Sequence, residues 1–126
     1  MHDENEAVVH ARRYRGGEGD PEAFVRAFRA STVYLRREDP LSLPVITFGG
    51  LDWLAVFSGP DLLREHVAQR GEPAADYLAV TGERLLDHYL PALPGRTGVV
   101  FDTGTEHMMT LPPVRGVVAD ALAVDA

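Results

Sequence analysis

Several residues that can perform acid–base or nucleophilic chemistry follow apolar runs of the chain. Ser58 comes directly after one such run, Asp102 comes after another, and His107 lies a few positions further on. A serine nucleophile needs a base within hydrogen-bond distance and a third group that orients the base, so these three residues could form a hydrolase triad. Ser58 lacks the Gly-x-Ser-x-Gly turn that exposes a nucleophilic oxygen. We therefore interpret Ser58 as a helix-capping residue.

The five histidines do not match a metal-binding pattern. His66, His88 and His107 each follow an acidic residue, but adjacent residues on a helix do not face each other. No two histidines have the His-x3-His spacing that places two ligands on one helical face. We expect solvated histidines at helix and strand ends, and we expect no metal or other cofactor. The chain has no cysteine, which excludes disulfides, thiol catalysis and cysteine-bound zinc.

The glycine pairs and the net charge disfavour nucleotides and nucleic acids as ligands. Gly16-Gly17 and Gly49-Gly50 lack the flanking strand, helix, Lys and Ser or Thr of a phosphate loop, so we interpret them as turns or linkers. The net charge of −7 opposes binding to a phosphate backbone. All twelve basic residues are arginines, and Arg12, Arg13 and Arg15 form a cluster. This cluster could contact an anion, but acidic residues lie beside it and we favour a solvated arm.

The composition is that of an ordinary soluble globular domain. The chain has 126 residues, of which 45% are hydrophobic and 25% charged, so one domain can form a core without disulfides or metal. The amino terminus is acidic and lacks the apolar stretch of a secretory signal, and no later apolar run reaches membrane-spanning length. We expect a cytoplasmic protein that does not enter a membrane.

A predicted β-hairpin in residues 43–60 is the element around which the others are arranged. Its two apolar runs, residues 45–48 and 53–57, are rich in β-branched and aromatic side chains, and Gly49-Gly50 supplies the positive φ angles of a tight turn. Both strands are apolar on both faces, so we expect them inside a sheet that is covered on two sides. Trp53 and Phe57 share one face of their strand.

Capping and breaking signals divide the rest of the chain. Asp20-Pro21 predicts the start of a helix, whose Phe24 and Phe28 lie on its core face. In chain order we predict a helix from residue 20, a strand at 32–36, the hairpin, a helix from Ser58 to Gly71, a strand at 77–80, a helix from Thr81 to Leu93, strands at 97–101 and 108–111, and a helix at 114–124.

This order predicts a single domain with an α/β fold, with α+β as the alternative. The alternation of strands and helices in the middle of the chain favours parallel pairing, and the hairpins add antiparallel edges. We expect a mixed parallel and antiparallel sheet with helices on both faces. The predicted domain is residues 20–126. Residues 1–19 lack a continuous apolar face and are predicted to form a flexible tail or a short, loosely held helix.

Apolar blocks punctuated by glycine and proline carry a resemblance to a known family. They are Leu-Pro-Val-Ile-Thr-Phe at 43–48, Val-Phe-Ser at 56–58, Thr-Gly-Glu-Arg-Leu-Leu at 81–86, Gly-Val-Val-Phe-Asp-Thr-Gly at 98–104 and Leu-Pro-Pro at 111–113. Over residues 21–115 the chain resembles the SseB N-terminal-domain family of small bacterial proteins, whose members usually have Asn-Pro-Gly in place of Asp102-Thr103-Gly104. The resemblance implies an α/β domain of poorly known function without established catalytic residues or cofactor. Some members are associated with secretion or protein handling.

We expect a non-enzymatic protein-binding or adaptor module, because of this resemblance and because no convincing catalytic set is present. If the strands ending at Phe57, Val80 and Phe101 run parallel, the residues after them share one sheet edge, where open α/β sheets bind ligands. The candidate partner-binding residues at this edge are Ser58, Thr81, Glu83, Asp102, Thr103, Gly104 and Thr105.

The charge of this edge indicates the kind of partner. Asp61, Glu83 and Asp102 oppose a further anion, so we expect a neutral or basic segment of an unidentified protein and no nucleotide. Met108-Met109 could form an adaptable contact surface, although we favour a core position. A homodimer is compatible with the sequence. The alternative function is a small-molecule-binding protein or small hydrolase that uses the same strand ends.

Overall fold

The computed structural model describes residues 5–37, 45–48, 50–71, 76–92 and 97–113. Within them, the last helical segment begins as an α-helix, continues as a π-helical turn and ends as a 3-10 turn. The elements in chain order are α1 (Glu6–Arg15), α2 (Pro21–Ala30), β1 (Thr32–Arg37), β2 (Val45–Phe48), β3 (Leu51–Val56), α3 (Pro60–Gln69), β4 (Asp76–Thr81), α4 (Gly82–Arg84), the π turn (Leu85–Tyr89), the 3-10 turn (Leu90–Ala92), β5 (Thr97–Phe101) and β6 (Met109–Leu111).

The described strands form a four-stranded mixed sheet and a two-stranded antiparallel sheet, which an isolated β-bridge connects. Strands β2, β3, β5 and β6 are neighbours in that order; β3 and β5 are parallel, and the other two pairs are antiparallel. Strand β1 pairs with β4 antiparallel, and two backbone hydrogen bonds of 2.8 Å join Tyr34 of β1 to Phe57 at the end of β3. The predicted α/β fold with a mixed sheet is confirmed.

Helices cover both faces of this sheet, as predicted. On one face, Phe24 and Phe28 of α2 contact the ring of Phe101 on β5 with centroid distances of 5.6 and 5.8 Å. Buried residues of α1 and the π turn belong to the same core. On the other face, Phe57 packs with Leu63 of α3 in a second cluster. The two clusters exist because successive side chains of a strand point to opposite faces.

The three strands that were expected to run parallel point in the same direction, but only β3 and β5 are neighbours. Strands β3 and β5 pair directly, but β4 pairs antiparallel with β1, where Thr32 lies opposite Thr81. Strand β1 is antiparallel to the end of β3, so β4 points in the same direction as β3 with β1 between them. Thr81 is therefore the last residue of a strand that is not a neighbour of β3 or β5.

Helices α2 and α4 begin where their sequences predict. Asp20 Oδ1 accepts a hydrogen bond from the N–H of Glu22 at 2.9 Å, and Thr81 Oγ1 accepts one from the N–H of Arg84 at 3.2 Å. Gly82 lies against α2, because a β-carbon at this position would be 1.9 Å from the carbonyl oxygen of Phe28. Only glycine allows α4 to start so close to α2.

Helix α1 corrects the expectation of a tail in the described part of residues 1–19. Asn5 caps this helix, since its Oδ1 accepts from the N–H of Ala7 at 2.8 Å, and its Nδ2 donates to the carbonyl oxygen of Thr32 at 3.1 Å. Ala7, Val8 and Ala11 are buried in the main core. The apolar face is narrow, with small side chains, which is why the sequence pattern is weak although the helix packs on α2.

The hairpin of β2 and β3 is confirmed, with Phe48 opposite Leu51 and Gly50 at a φ of +79°. Burial of β3 is less complete than expected, because Trp53 and Ala55 are only half-buried. The ring of Trp53 covers Gly98 of β5, where a β-carbon would lie 2.7 Å from Cζ3 of the tryptophan.

The predicted helix at residues 114–124 lies outside the described residues. Of the helices in the described ranges, none is long and apolar enough to cross a membrane.

Candidate functional site

The ends of β3 and β5 lie side by side, and the residues that follow them meet. Val56 is opposite Phe101 in the parallel register, and the N–H of Asp102 donates to the carbonyl oxygen of Val56 at 2.8 Å. Because both strands end at the same level, Asp102 lies next to Ser58. The sequence predicted that the residues after these two strands share an edge, and they do.

Asp102 is the centre of a buried hydrogen-bond cluster. Its side chain is 0% exposed. Oδ1 accepts from the N–H of Ser58 at 2.7 Å, while Oδ2 accepts from the Ser58 hydroxyl at 2.7 Å and lies 2.6 Å from Nε2 of His107. An ionised carboxylate only accepts hydrogen bonds, so the hydroxyl and the Nε2–H are the donors. These bonds offset the cost of burying a charge and tie the two strand ends together.

The turn after β5 holds the carboxylate in this position. Asp102 has a φ of +50°, a left-handed conformation that Asp and Asn tolerate better than most residues. Its carbonyl oxygen accepts from the N–H of Thr105 at 3.2 Å and from the Thr105 hydroxyl at 2.7 Å. The chain then returns, so that the ring of His107 lies 6.3 Å from the ring of Phe101. The backbone of the turn thus places the imidazole over the carboxylate.

Ser58, Asp102 and His107 come together, but their order differs from that of a serine hydrolase. In a hydrolase triad the histidine lies between serine and aspartate and takes the proton of the serine. Here Asp102 lies between the other two residues, and the Ser58 hydroxyl donates to the carboxylate. This arrangement suits a structural clamp between two strand ends better than an activated nucleophile.

Two sequence-based interpretations of this cluster are wrong. Ser58 does not cap α3, because the N-cap residue is Gly59, which makes no side-chain hydrogen bond. His107 is not a solvated histidine, because its side chain is only 12% exposed and is bound to Asp102. Ser58 and Asp102 are 44 positions apart, so the pairing of β3 with β5 was needed to reveal that the hydroxyl has a carboxylate partner.

His66 also differs from the solvated histidine that the sequence predicts. It is half-buried in α3, and its ring centroid lies 5.2 Å from that of Phe57. Burial lowers the pKa of His66 below its ordinary value, and repulsion from the guanidinium groups of Arg70 and Arg36 lowers this pKa further by a smaller amount. His88, in contrast, is exposed as expected.

The other candidate partner-binding residues occupy two places. Thr81 and Glu83 are exposed at the start of α4, on the far side of β1 from the cluster. Thr103, Gly104 and Thr105 belong to the turn of Asp102, where Gly104 is exposed and the two threonines are half-buried. The predicted edge is therefore divided, and the carboxylate of Asp102 is not accessible to a partner.

A cleft of about 420 Å³ lies next to His107. It is lined by His107 and Glu106 from the turn and by Arg12, Arg15 and Gly16 from the end of α1. The imidazole of His107 is held by Asp102 and forms a fixed part of the wall. The cleft thus brings the arginine cluster and the turn after β5 together, a relation that the sequence analysis missed.

A second cavity, of about 410 Å³, continues along β6. It is lined by Tyr14, Arg15, Pro21, Phe24, Val25, Met108, Met109, Thr110, Leu111 and Pro112. We call this cavity the β6 groove. Successive side chains of a strand point to opposite faces, and consecutive residues of β6 all line the groove. The groove therefore follows the edge of β6, with α1 and α2 as its opposite wall.

The hydrogen-bond register shows which backbone groups face the β6 groove. The N–H of Asp102 points towards β3, and N–H groups alternate sides along a strand, so Phe101 and Val99 direct theirs to β6. These residues lie opposite Met109 and Leu111. The N–H and C=O of Thr110 consequently face away from β5. Among the described strands, β6 pairs with β5 alone.

The sequence analysis considered a contact surface and a core position for Met108 and Met109, and the structure shows some of each. Met109 is buried in the core and Met108 is half-buried, yet both line the β6 groove. The methionine pair and the arginine cluster were each recognisable in the sequence, but their adjacency depends on the packing of α1.

Within the part of the chain that the structure describes, no group of three or more His, Asp or Glu side chains is placed to hold a metal ion.

Comparison with known proteins gives a family match over most of the chain. The family model described as SseB protein N-terminal domain matches residues 5–115, a range that includes α1, the Asp102 cluster and β6. A search of curated proteins gives no significant match. Because this match covers most of the length of the chain, the chain belongs to the SseB N-terminal domain family.

Proposed function

We propose that this domain is a non-enzymatic protein-binding module that receives an extended segment of a partner protein along the edge of β6. The observation that carries the proposal is the β6 groove, where a strand edge that pairs with no other described strand faces a largely apolar wall from α1 and α2. Extended peptides that add a strand to an open sheet edge gain affinity from main-chain hydrogen bonds and selectivity from side-chain contacts.

The side chains of the groove support this proposal. Tyr14 lines the groove and is 42% exposed, which makes it one of two large hydrophobic residues that are exposed in the described part of the chain. Met108 is half-buried beside it, and methionine side chains adapt readily to different apolar partners. Aromatic residues and methionine are enriched at the contact surfaces of proteins. The groove therefore offers apolar contacts beside backbone groups that pair with no other described strand.

The non-enzymatic part of the proposal rests on the Asp102 cluster. The carboxylate is fully buried, and both of its oxygens accept hydrogen bonds from Ser58 or His107. We regard this cluster as the support of the turn that precedes β6. A function in protein handling in the bacterial cytoplasm is part of the same proposal, and the absence of cysteine is compatible with a reducing compartment. Cell fractionation with an antibody to the protein would test the compartment.

Thr110 allows a direct test of strand addition. Thr110→Pro removes the N–H that faces the groove, and proline is tolerated at a strand edge because that N–H is not used for pairing with β5. Thr110→Val keeps the N–H and is the matched control. Peptides selected from a display library on the full chain should bind the wild type and Thr110→Val. They should lose at least about tenfold in affinity with Thr110→Pro, which corresponds to about 1.4 kcal/mol.

Two outcomes would contradict the proposal. One is that no peptide is enriched on the folded chain in repeated selections. The other is that Thr110→Pro, with an unchanged circular dichroism spectrum, binds the selected peptides as tightly as Thr110→Val does. Isothermal titration calorimetry gives the affinities, and a urea melt of each variant shows that the fold is retained.

A second candidate function, a small-molecule-binding protein or small hydrolase, is favoured by one observation. His107 lines the 420 Å³ cleft and is oriented through Nε2 by a buried carboxylate, as histidines that act on ligands often are. Thermal melts with inorganic phosphate, acetate and small carboxylic acids test this candidate, because a ligand that binds only the native state raises Tm. A rise that His107→Gln abolishes would favour it over strand addition.

A further inference from the structure

We infer that the partner segment carries an acidic side chain, which binds in the cleft of Arg12 and Arg15 while neighbouring apolar side chains of the segment occupy the β6 groove. This inference rests on the proposed function and specifies the chemistry of the partner. It also replaces the neutral or basic partner that the sequence predicts.

The cleft and the β6 groove are parts of one continuous depression. Arg15 lines both of them. On the other side, Glu106 and His107 line the cleft, and the following residues, 108–112, line the groove. A peptide laid along β6 therefore reaches the cleft without leaving the protein surface. The same peptide must place apolar side chains against the wall of the groove at one end and a group that binds guanidinium at the other.

The charge of the cleft complements a single carboxylate. The guanidinium of Arg15 makes no ion pair or hydrogen bond with any other described residue. Arginine presents a planar set of donors that matches the two oxygens of a carboxylate. Arg12 and Arg15 contribute two positive charges to the lining and Glu106 one negative charge, so one Asp or Glu side chain neutralises the charge that is left. A positive cleft is also distinctive in a chain with a net charge of −7.

The acidic residues that suggested a basic partner do not face this depression. Asp102 is fully buried, and its carboxylate is bonded to Ser58 and His107. Asp61, at the start of α3, forms an ion pair of 3.3 Å with Arg64. Like Glu83, neither residue lines the cleft or the β6 groove. The argument from their charges therefore does not apply to a segment bound along β6.

The test compares peptides that differ at one position, and it compares a variant of an arginine that lines the cleft with a variant of an arginine that does not. A peptide selected on the full chain is prepared with Asp, Asn or Lys at its acidic position. Arg15→Gln removes the proposed partner of the carboxylate. Arg13→Gln is the matched control, because Arg13 is equally an exposed residue of α1 but lines neither cavity.

We expect the wild type and Arg13→Gln to bind the Asp peptide about tenfold more tightly than the Asn peptide, and the Lys peptide more weakly still. Arg15→Gln should bind the Asp and Asn peptides equally. Arg15→Glu should reverse the order and prefer the Lys peptide, which identifies the pair by charge exchange. The preference for Asp should decrease as salt is raised, because the cleft is partly exposed.

The outcomes separate this inference from the proposed function. If Thr110→Pro abolishes peptide binding but the Asp, Asn and Lys peptides bind equally, the acidic partner is wrong and strand addition stands. If no peptide binds, both fall. A dimer that Thr110→Pro dissociates would make a second copy of the chain the occupant. Tighter binding of a synthetic peptide of residues 114–126 than of any selected peptide would assign the groove to the chain's own segment.

Discussion

The imidazole Nε2 of His107 lies 2.6 Å from Oδ2 of Asp102, an oxygen that also accepts a hydrogen bond from the hydroxyl of Ser58. One buried carboxylate thus holds the end of β3 and the turn after β5 at the same time. The turn leads directly into β6, whose outer edge forms the floor of the β6 groove. The stability of the cluster and the shape of the proposed binding surface are therefore linked.

Replacement of Asp102 should destabilise the protein strongly. Asp102→Ala leaves the N–H and hydroxyl of the half-buried Ser58 without this acceptor and places alanine at a φ of +50°, so we expect a loss of about 3 to 5 kcal/mol in the free energy of unfolding. Asp102→Asn tolerates the same φ and keeps one acceptor oxygen, so its loss should be smaller, about 1 to 3 kcal/mol. Urea melts provide both values, and equal stability of Asp102→Ala and the wild type would show that the cluster is not a clamp.

Deletion of α1 should also destabilise the protein. A chain that begins at Gly19 exposes the core surface covered by Ala7, Val8 and Ala11, and burial of a valine alone contributes about 1.5 to 3 kcal/mol. We expect a clearly lower urea midpoint, in contrast to the unchanged midpoint that a tail predicts. Val8→Ala should reproduce part of the loss, while Val9→Ala, at a half-buried position, should have a smaller effect. An unchanged midpoint of the deleted chain would mean that α1 contributes nothing to the core.

Phe57 should be among the most costly residues to truncate. It is 2% exposed and packs with Leu63 and Val67 of α3, so Phe57→Ala should cost about 3 to 5 kcal/mol. Tyr77→Ala is the control, because Tyr77 is 40% exposed and its loss should have a much smaller effect. A cost below about 1 kcal/mol in urea melts would show that the face covered by α3 is not a significant part of the core.

Stability should decrease as pH falls below the ordinary histidine range, partly because of His66. Its pKa is lowered in the folded protein, so the folded state binds fewer protons than the unfolded state. The resulting penalty is absent well above 6.5, the unfolded value, grows as pH falls through it, and is fully present below the lowered folded pKa. Urea melts at pH 7.5 and 5.5 should show a smaller decrease for His66→Gln than for the wild type.

The exposed residue His88 provides the control for this experiment. His88→Gln should retain the pH dependence of the wild type, because the replaced side chain is exposed rather than packed against Phe57. If His66→Gln and His88→Gln change the pH dependence equally, burial of His66 is not its cause.

Local signals predicted most of the elements correctly. Asp20-Pro21 and Thr81 cap helices as expected, and Gly50 forms the turn of the hairpin. These features depend on neighbours in sequence, since a cap or a turn is decided by the backbone needs of a few consecutive residues. A short, loosely held helix was one of the two expectations for the amino-terminal residues, but the packing of α1 on the core was not predicted, because its buried face consists mainly of alanine and gives little hydrophobic contrast.

Strand order and the geometry of the candidate site could not be predicted from local sequence signals. The sequence determined that the chain forms an α/β domain, where most helices and strands begin, and that residues after β3 and β5 would meet if those strands were parallel. Only the tertiary structure decided that β4 pairs with β1, that Ser58 donates to Asp102, and that Arg15 lies between the cleft and the β6 groove. The physical reason is that caps, turns and periodicity are local, whereas strand pairing and the packing of α1 join residues far apart in sequence. Which distant partners meet depends on the packing of the whole core.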